Sequence, residues 1–299
     1  MTPRVGLIGL GEMGKWMAIN MVKAGFPLTV YDTRPEPVET LVENGATFAG
    51  NPAEVARNAD CVFLSLPNTA IVEDVIFGEN GLVNGLPSGA IVTDLSTIHY
   101  LATLKIHEGL QARGVTFIDA PVSGMEARAK EGTLTIMMGG DPDTIEKIRP
   151  ILDTIGNNIV YMGVSGNGQL TKLANQLLFN ISAAAMAEVL PMAVKLGLDP
   201  EAICRVVTKG TGQTFALDFF TPHILTNEFE TGYPLISAYK DMISAAEISS
   251  QNKIPMPVFF AALQTYQMAL VEGLGQENKG ALIKVWEKAL GVKVRQQGY

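Results

Sequence analysis

The residues with the most chemistry in them fall in a few short segments. Gly9-Leu10-Gly11-Glu12-Met13-Gly14 sets three glycines at a functional spacing. Gly9 permits a tight turn, Gly11 lets bare backbone approach a pyrophosphate, and Gly14 lets a helix pack on a strand. The N–H groups around Leu10, Glu12 and Met13, at the positive end of that helix, form an anion site. Glycines also mark ordinary turns, so the pattern gains weight only from its context between a strand and a helix, and from Asp32. That carboxylate ends the next strand, at the distance where it accepts hydrogen bonds from a ribose. A carboxylate there repels a 2′-phosphate, so NAD is the expected cofactor. Arg34, two residues on, keeps NADP open.

Two further strand ends, Leu64-Ser65-Leu66-Pro67-Asn68 and Thr93-Asp94-Leu95-Ser96-Thr97, are placed to meet a bound dinucleotide, with Leu66, Pro67 and Thr97 as the contacts. Asp119-Ala120-Pro121-Val122-Ser123-Gly124 offers a hydroxyl and a bare backbone that could grip an anion. Gly166-Asn167-Gly168-Gln169-Leu170-Thr171-Lys172-Leu173-Ala174-Asn175 then opens a helix. Spacings of four and three residues put Gly168, Lys172 and Asn175 on one face, with Gly168 leaving room beside the other two. Standing alone, such a lysine and asparagine would be a solvent-facing pair.

These segments need elements to position them. Up to about Tyr161, β-branched runs alternate with helical stretches: Arg4 to Ile8, Leu28 to Tyr31, Cys61 to Ser65, Ile91 to Asp94, Thr116 to Asp119, Leu134 to Met138 and Ile159 to Tyr161. That rhythm predicts an α/β domain, 1–163, with a mostly parallel, doubly wound sheet. From Gly168 to Leu196 the spacing turns helical, with Leu170, Leu173, Ala174, Leu177 and Ile181 as an apolar stripe. An all-α domain, 164–299, is expected to begin with this long interdomain helix. Breaks at Asp199-Pro200, Thr221-Pro222, Tyr233-Pro234 and Pro255-Met256-Pro257 divide the rest, and a last helix carries Leu282, Val285, Trp286 and Leu290.

Composition bounds the function. The 299 residues suffice for two domains, and 47% hydrophobic content suffices for a core in each. A net charge of −8 argues against nucleic-acid binding, which needs a basic face. Two cysteines, Cys61 and Cys204, give neither a disulfide framework nor zinc spacing and are expected to be buried thiols. His99, His107 and His223 have no metal-ligand spacing, so no metal is expected. With no signal-peptide pattern and no run read as long enough to span a bilayer, the expected location is the cytoplasm. A helical domain rich in Met and Phe also suggests a homo-oligomer, a dimer or tetramer.

Along nearly its whole length the sequence resembles the 3-hydroxyisobutyrate dehydrogenase, or β-hydroxyacid dehydrogenase, family. The resemblance rests on Gly6 through Gly14, Asp94-Leu95-Ser96-Thr97, Asp119 through Gly124 with Gly132-Thr133-Leu134, Gly168 through Asn175, and Lys240-Asp241. It implies a Rossmann-type domain followed by a helical one, with the active site in the cleft between them. It also implies a nicotinamide-dependent enzyme acting on a small anionic 3-hydroxy acid or aldehyde acid. Lys172 is then the catalytic acid/base, Ser123, Gly124 and Asn175 hold the substrate, and Thr97 and Lys240 lie near nicotinamide and substrate. Candidate substrates are 3-hydroxyisobutyrate, glycerate, 2-(hydroxymethyl)glutarate and sulfonated analogues. Rival readings are an oxidative decarboxylase similar to 6-phosphogluconate dehydrogenase, for which the chain is short, and a dinucleotide-binding scaffold without catalysis. Imine reductases usually lack a lysine at the position of Lys172. The chain departs from the family after Gly124, where glycines usually continue. Met125 adds bulk beside the substrate turn, and Arg128 adds a charge that either pairs with a second anionic group or stays in solvent.

Overall fold

The computed structural model describes residues 2–298, and among them nine strands and thirteen α-helices are formed. In chain order these are β1 (Val5–Ile8), α1 (Gly14–Lys23), β2 (Leu28–Tyr31), α2 (Pro35–Glu43), β3 (Thr47–Phe48), α3 (Pro52–Arg57), β4 (Cys61–Leu64), α4 (Thr69–Phe77) and β5 (Ile91–Asp94). There follow α5 (Tyr100–Gln111), β6 (Thr116–Asp119), β7 (Val122–Ser123), α6 (Met125–Glu131), β8 (Leu134–Gly139), α7 (Pro142–Leu152) and β9 (Gly156–Gly163). The remaining helices are α8 (Asn167–Lys195), α9 (Pro200–Val207), α10 (Phe215–Leu225), α11 (Leu235–Asn252), α12 (Pro257–Val271) and α13 (Ile283–Leu290).

The strands form one sheet in the order β3-β2-β1-β4-β5-β6-β8-β7, with β9 paired to β8. The first six run parallel, whereas β8 is antiparallel to β6 and β7. The order reverses at β1 and β4, the point where an open α/β sheet leaves a crevice beyond its strand ends. Alternation along β1 serves both faces. Val5 and Leu7 join a core with Met17 and Met21 of α1, and Ile8 joins Val55 and Val62 on the other side. The two-residue strands β3 and β7 are too short to leave a periodic signal in the sequence.

Two compact units result, Met1–Lys172 and Leu173–Tyr299, dividing within α8. The second has its own core, including Leu177, Ala187, Phe220, Met242, Phe259 and Tyr266.

Three expectations need correction. Pro222 does not break α10, whose Thr214 caps its start. A proline there removes one hydrogen bond close to the helix end, where the loss is small. Leu170 and Ala174 are exposed, so the buried stripe of α8 is carried by Leu173, Leu177 and Ile181. Finally, Asn167–Lys195 is long and apolar enough to cross a bilayer by length and composition. Half of its most apolar window is buried inside the protein, as expected of a core helix.

Candidate active site

The turn after β1 is built as the glycine spacing requires. Gly9 has φ +94°, and a Cβ there would lie 2.2 Å from the Ser65 carbonyl oxygen beyond β4. A Cβ on Gly14 would lie 1.9 Å from the Gly9 carbonyl oxygen, so α1 seats on β1 only through a glycine. Gly11 differs: its added Cβ would meet only the Arg34 guanidinium, at 3.8 Å. The protein's own packing leaves space at Gly11, a cradle that a side chain would fill. No side chain caps α1 at Met13 and its first turn carries no acid; Lys15, Trp16 and Met17 already donate to Gly11 and Met13, which leaves the N–H groups of Glu12, Met13 and Gly14 to face phosphates. These features fit a dinucleotide pyrophosphate.

Asp32 follows β2 and accepts the Leu10 N–H at 2.7 Å and the Arg34 N–H at 2.9 Å. The Arg34 guanidinium lies 3.1 Å from Oδ1. Burial by itself would raise this carboxyl, but the bonds from Arg34 and Leu10 outweigh it and hold it below the usual range. On the far side of the crevice the Leu66 N–H donates to the Ser96 hydroxyl at 2.8 Å, which ties the Leu66-Pro67 turn to the segment bearing Thr97. Thr97 is half-buried and Pro67 exposed.

The Thr97 segment is also tied to the start of α8. The Gln169 side chain donates to the Ser96 carbonyl at 2.7 Å and accepts the Ile98 N–H at 3.2 Å, grasping the chain on both sides of Thr97. Asp119, at the end of β6, accepts the Gly166 N–H at 2.7 Å and the Gln169 N–H at 2.9 Å. The first turn of α8 therefore packs with the sheet unit. Gly168 serves this seating, since a Cβ there would lie 2.4 Å from the Met137 carbonyl oxygen and 2.6 Å from that of Asp119. The expectation that Gly168 opens space beside Lys172 and Asn175 is corrected accordingly. Gln169 and Asp119 are positioning residues that went unassigned in the sequence, although both stood inside the matching motifs.

Lys172 lies one turn beyond Gln169 and is 8% exposed, not solvent-facing. Asn175, another turn on, is exposed. In the second unit the Lys240 side chain is half exposed and 3.9 Å from the Asp241 carboxylate. The Gln176 amide and the Tyr233 hydroxyl both donate to Asp241, at 3.4 Å, so α8 and α11 are joined beside Asn175 and Lys240.

Ser123 pairs with Thr135 at the end of β7, and Gly124 follows at φ +145°. Met125 then takes φ +62°, a left-handed conformation uncommon in side-chain-bearing residues. Beneath the site, Asp94 and Asp119 are directly paired across β5 and β6, both fully buried. Burial, with Asp119 alongside, lifts the Asp94 carboxyl to about 7, and burial also raises Asp119.

The remaining candidates have structural places. The Cys61 and Cys204 thiols are buried, which pushes them up to about 12 and about 11. His99 caps α5 through Nδ1, which accepts the Leu101 N–H at 3.2 Å.

Comparison with known proteins gives the family and the fold. Residues 4–163 match the family described as the NAD-binding domain of 6-phosphogluconate dehydrogenase. Residues 166–286 match the NAD-binding family of NADP-dependent 3-hydroxyisobutyrate dehydrogenase. The chain belongs to the 3-hydroxyisobutyrate dehydrogenase family. It is 37% identical to 2-(hydroxymethyl)glutarate dehydrogenase of Eubacterium barkeri, over 97% of each chain. With 3-sulfolactaldehyde reductase of Escherichia coli it shares 32% identity, over 97% of this chain and 98% of that one. The crystal structure of 3-hydroxyisobutyrate dehydrogenase from Salmonella typhimurium superposes with a TM-score of 0.85 at 28% identity, over 94% of this chain and 99% of that one. Membership makes this chain an NAD(P)-dependent oxidoreductase of the 3-hydroxy acid dehydrogenase class.

Proposed function

We propose that the enzyme interconverts a small aldehyde acid and the corresponding 3-hydroxy acid, with Lys172 as the proton-transfer group and NAD(H) preferred over NADP(H). The observation that carries the reading is the burial of Lys172 one turn after Gln169, on a helix whose start is fastened to the Thr97 segment and to β6.

The backbone from Gly9 through Leu10, Gly11, Glu12 and Met13 to Gly14 holds the dinucleotide phosphates, and Asp32 receives the ribose hydroxyls. A 2′-phosphate would meet the same carboxylate, which disfavours NADP. Leu66, Pro67, Thr97 and Lys240 border the cofactor. The bound nicotinamide supplies the hydride in reduction and accepts it in oxidation. The Ser123 hydroxyl and the Gly124 backbone take the substrate carboxylate beside Met125, with Asn175 and Lys240 completing the substrate contacts. In reduction, Lys172 Nζ as an ammonium steadies the oxyanion formed from the aldehyde and gives it a proton. In oxidation the neutral amine removes that proton from the hydroxyl, which a guanidinium could not do. The scheme uses no metal ion. Exposed Leu178 of α8, Leu196 just after it, and Val258 and Val271 of α12 suit a homo-oligomer better than a monomer, and a soluble cytoplasmic enzyme is the reading adopted.

The test is turnover of Lys172→Ala and Lys172→Arg with NADH and short aldehyde acids. Both should bind NADH like the parent, and the alanine variant should lose a factor of about 100 to 10,000 in kcat. Near-parental turnover in either variant refutes the assignment.

A further inference from the structure

Helix α6 starts directly after Ser123 and Gly124, so its side chains border whatever that turn holds. Its position is set by α1. The Glu126 carboxylate accepts the Trp16 indole N–H at 2.7 Å and pairs with Lys15 at 3.1 Å. The Asn20 amide donates to the Ala129 carbonyl at 2.9 Å. These contacts fasten α6 and engage the acidic group nearest the turn with another helix.

Arg128 is left differently placed. A Cβ added to Gly124 would meet Arg128 Cδ at 2.7 Å and Cβ at 2.8 Å, so the arginine stem runs along the bare α-carbon of the turn. Its residue is exposed, and among the described residues no carboxylate forms an ion pair with it. The unengaged cation on α6 is thus the one laid against the Ser123–Gly124 turn. Next to it Met125, strained at φ +62°, holds the backbone in the conformation that starts the helix there.

We infer that Arg128 is a specificity-determining residue whose guanidinium receives a second anionic group on the substrate, so that the preferred substrate is a 3-hydroxy acid carrying two anionic groups. The inference rests on the reading that Ser123 and Gly124 hold the first carboxylate. A planar fork of N–H donors matches a carboxylate in bidentate geometry, and substrate binding removes water from an otherwise exposed charge. A substrate lacking the second anion leaves the fork unused and loses that part of the affinity.

The experiment compares NAD-dependent oxidation of 2-(hydroxymethyl)succinate with that of its distal monoamide, which keeps the shape and removes one charge. The parent enzyme should favour the diacid by about 10- to 100-fold in kcat/KM. In Arg128→Met, which keeps the stem along Gly124, the ratio should fall to near one, and Arg128→Lys should restore part of it. A parent without diacid preference, in turnover and in calorimetric affinity for the NADH complex, overturns the inference. So does a preference unchanged in Arg128→Met. Ser123→Ala tests the underlying reading separately: it should weaken both compounds alike. If it affects neither, the assignment of the turn fails, whatever the diacid ratio does in Arg128→Met.

Discussion

The two sides of the candidate site are built on opposite terms. On the cofactor side the Asp32 carboxylate is engaged, and two of the three glycines are locked by packing, before any ligand arrives. Asp32 already accepts from Leu10 and Arg34, and a Cβ on Gly9 or Gly14 would fall under 2.5 Å from a backbone oxygen. On the substrate side Met125 sits in a conformation that costs energy, and Arg128 has no ionic partner among the described residues. A cofactor shared across a family can be met by packing that leaves little to vary. Selection among related acids is better served by side chains that the fold does not need.

The contrast should break most visibly at the glycines. Gly14→Ala puts a methyl group 1.9 Å from a backbone oxygen that cannot yield, so α1 must lift from β1. The expected loss is about 2–4 kcal/mol of stability even without cofactor. Gly11→Ala meets only the mobile end of Arg34 and should leave the cofactor-free protein unchanged within about 0.5 kcal/mol. It should nonetheless weaken NADH binding by about tenfold or more, because the methyl occupies the phosphate approach. Thermal unfolding with and without NADH separates the two effects. Equal destabilisation by both variants would erase the distinction between packing glycine and ligand glycine.

What the sequence disclosed follows the same division. The strands of the parallel sheet and the glycine turn were legible, because period-two runs and obligatory backbone conformations leave a mark residue by residue. For Gly168 spacing shows which face the residue shares, but not that Asp119 and Met137 press against that face. Gln169 was missed because its work depends on two backbone groups, Ser96 and Ile98, far off in the chain. The internal position of Pro222 within α10 was equally invisible, since local preference and tertiary packing disagree there.

Beneath both sides lies the Asp94–Asp119 pair, which makes a smaller prediction with a definite sign. The Asp94 carboxyl titrates near 7 when folded but close to its ordinary value of 3.8 when unfolded. Between those values the folded state binds the extra proton, so this group favours the folded state at low pH and its contribution is lost as pH rises toward 7. Asp94→Asn keeps an acceptor for the Ser96 N–H, which lies 3.0 Å from Oδ1, and removes the charge. Relative to the parent, the variant should gain stability progressively from about pH 4 to about pH 7 and hold that gain above it. A stability difference flat across that range would mean that Asp94 is not the buried titrating group.

The smallest effect belongs to Met125, and its smallness is informative because two terms oppose. Relieving a left-handed residue at φ +62° should return about 1–2 kcal/mol. Glycine gives back about 0.4–1 kcal/mol of this through the greater freedom of the unfolded chain. Met125→Gly should therefore stabilise the protein by about 0–1.6 kcal/mol, measured by denaturant unfolding, with NADH affinity unchanged. Met125→Ala keeps the strain without the bulk and should not share the gain. A clear loss of stability in the glycine variant would show that packing holds the Met125 side chain after all, and the substrate turn would then be no freer to vary than the cofactor side.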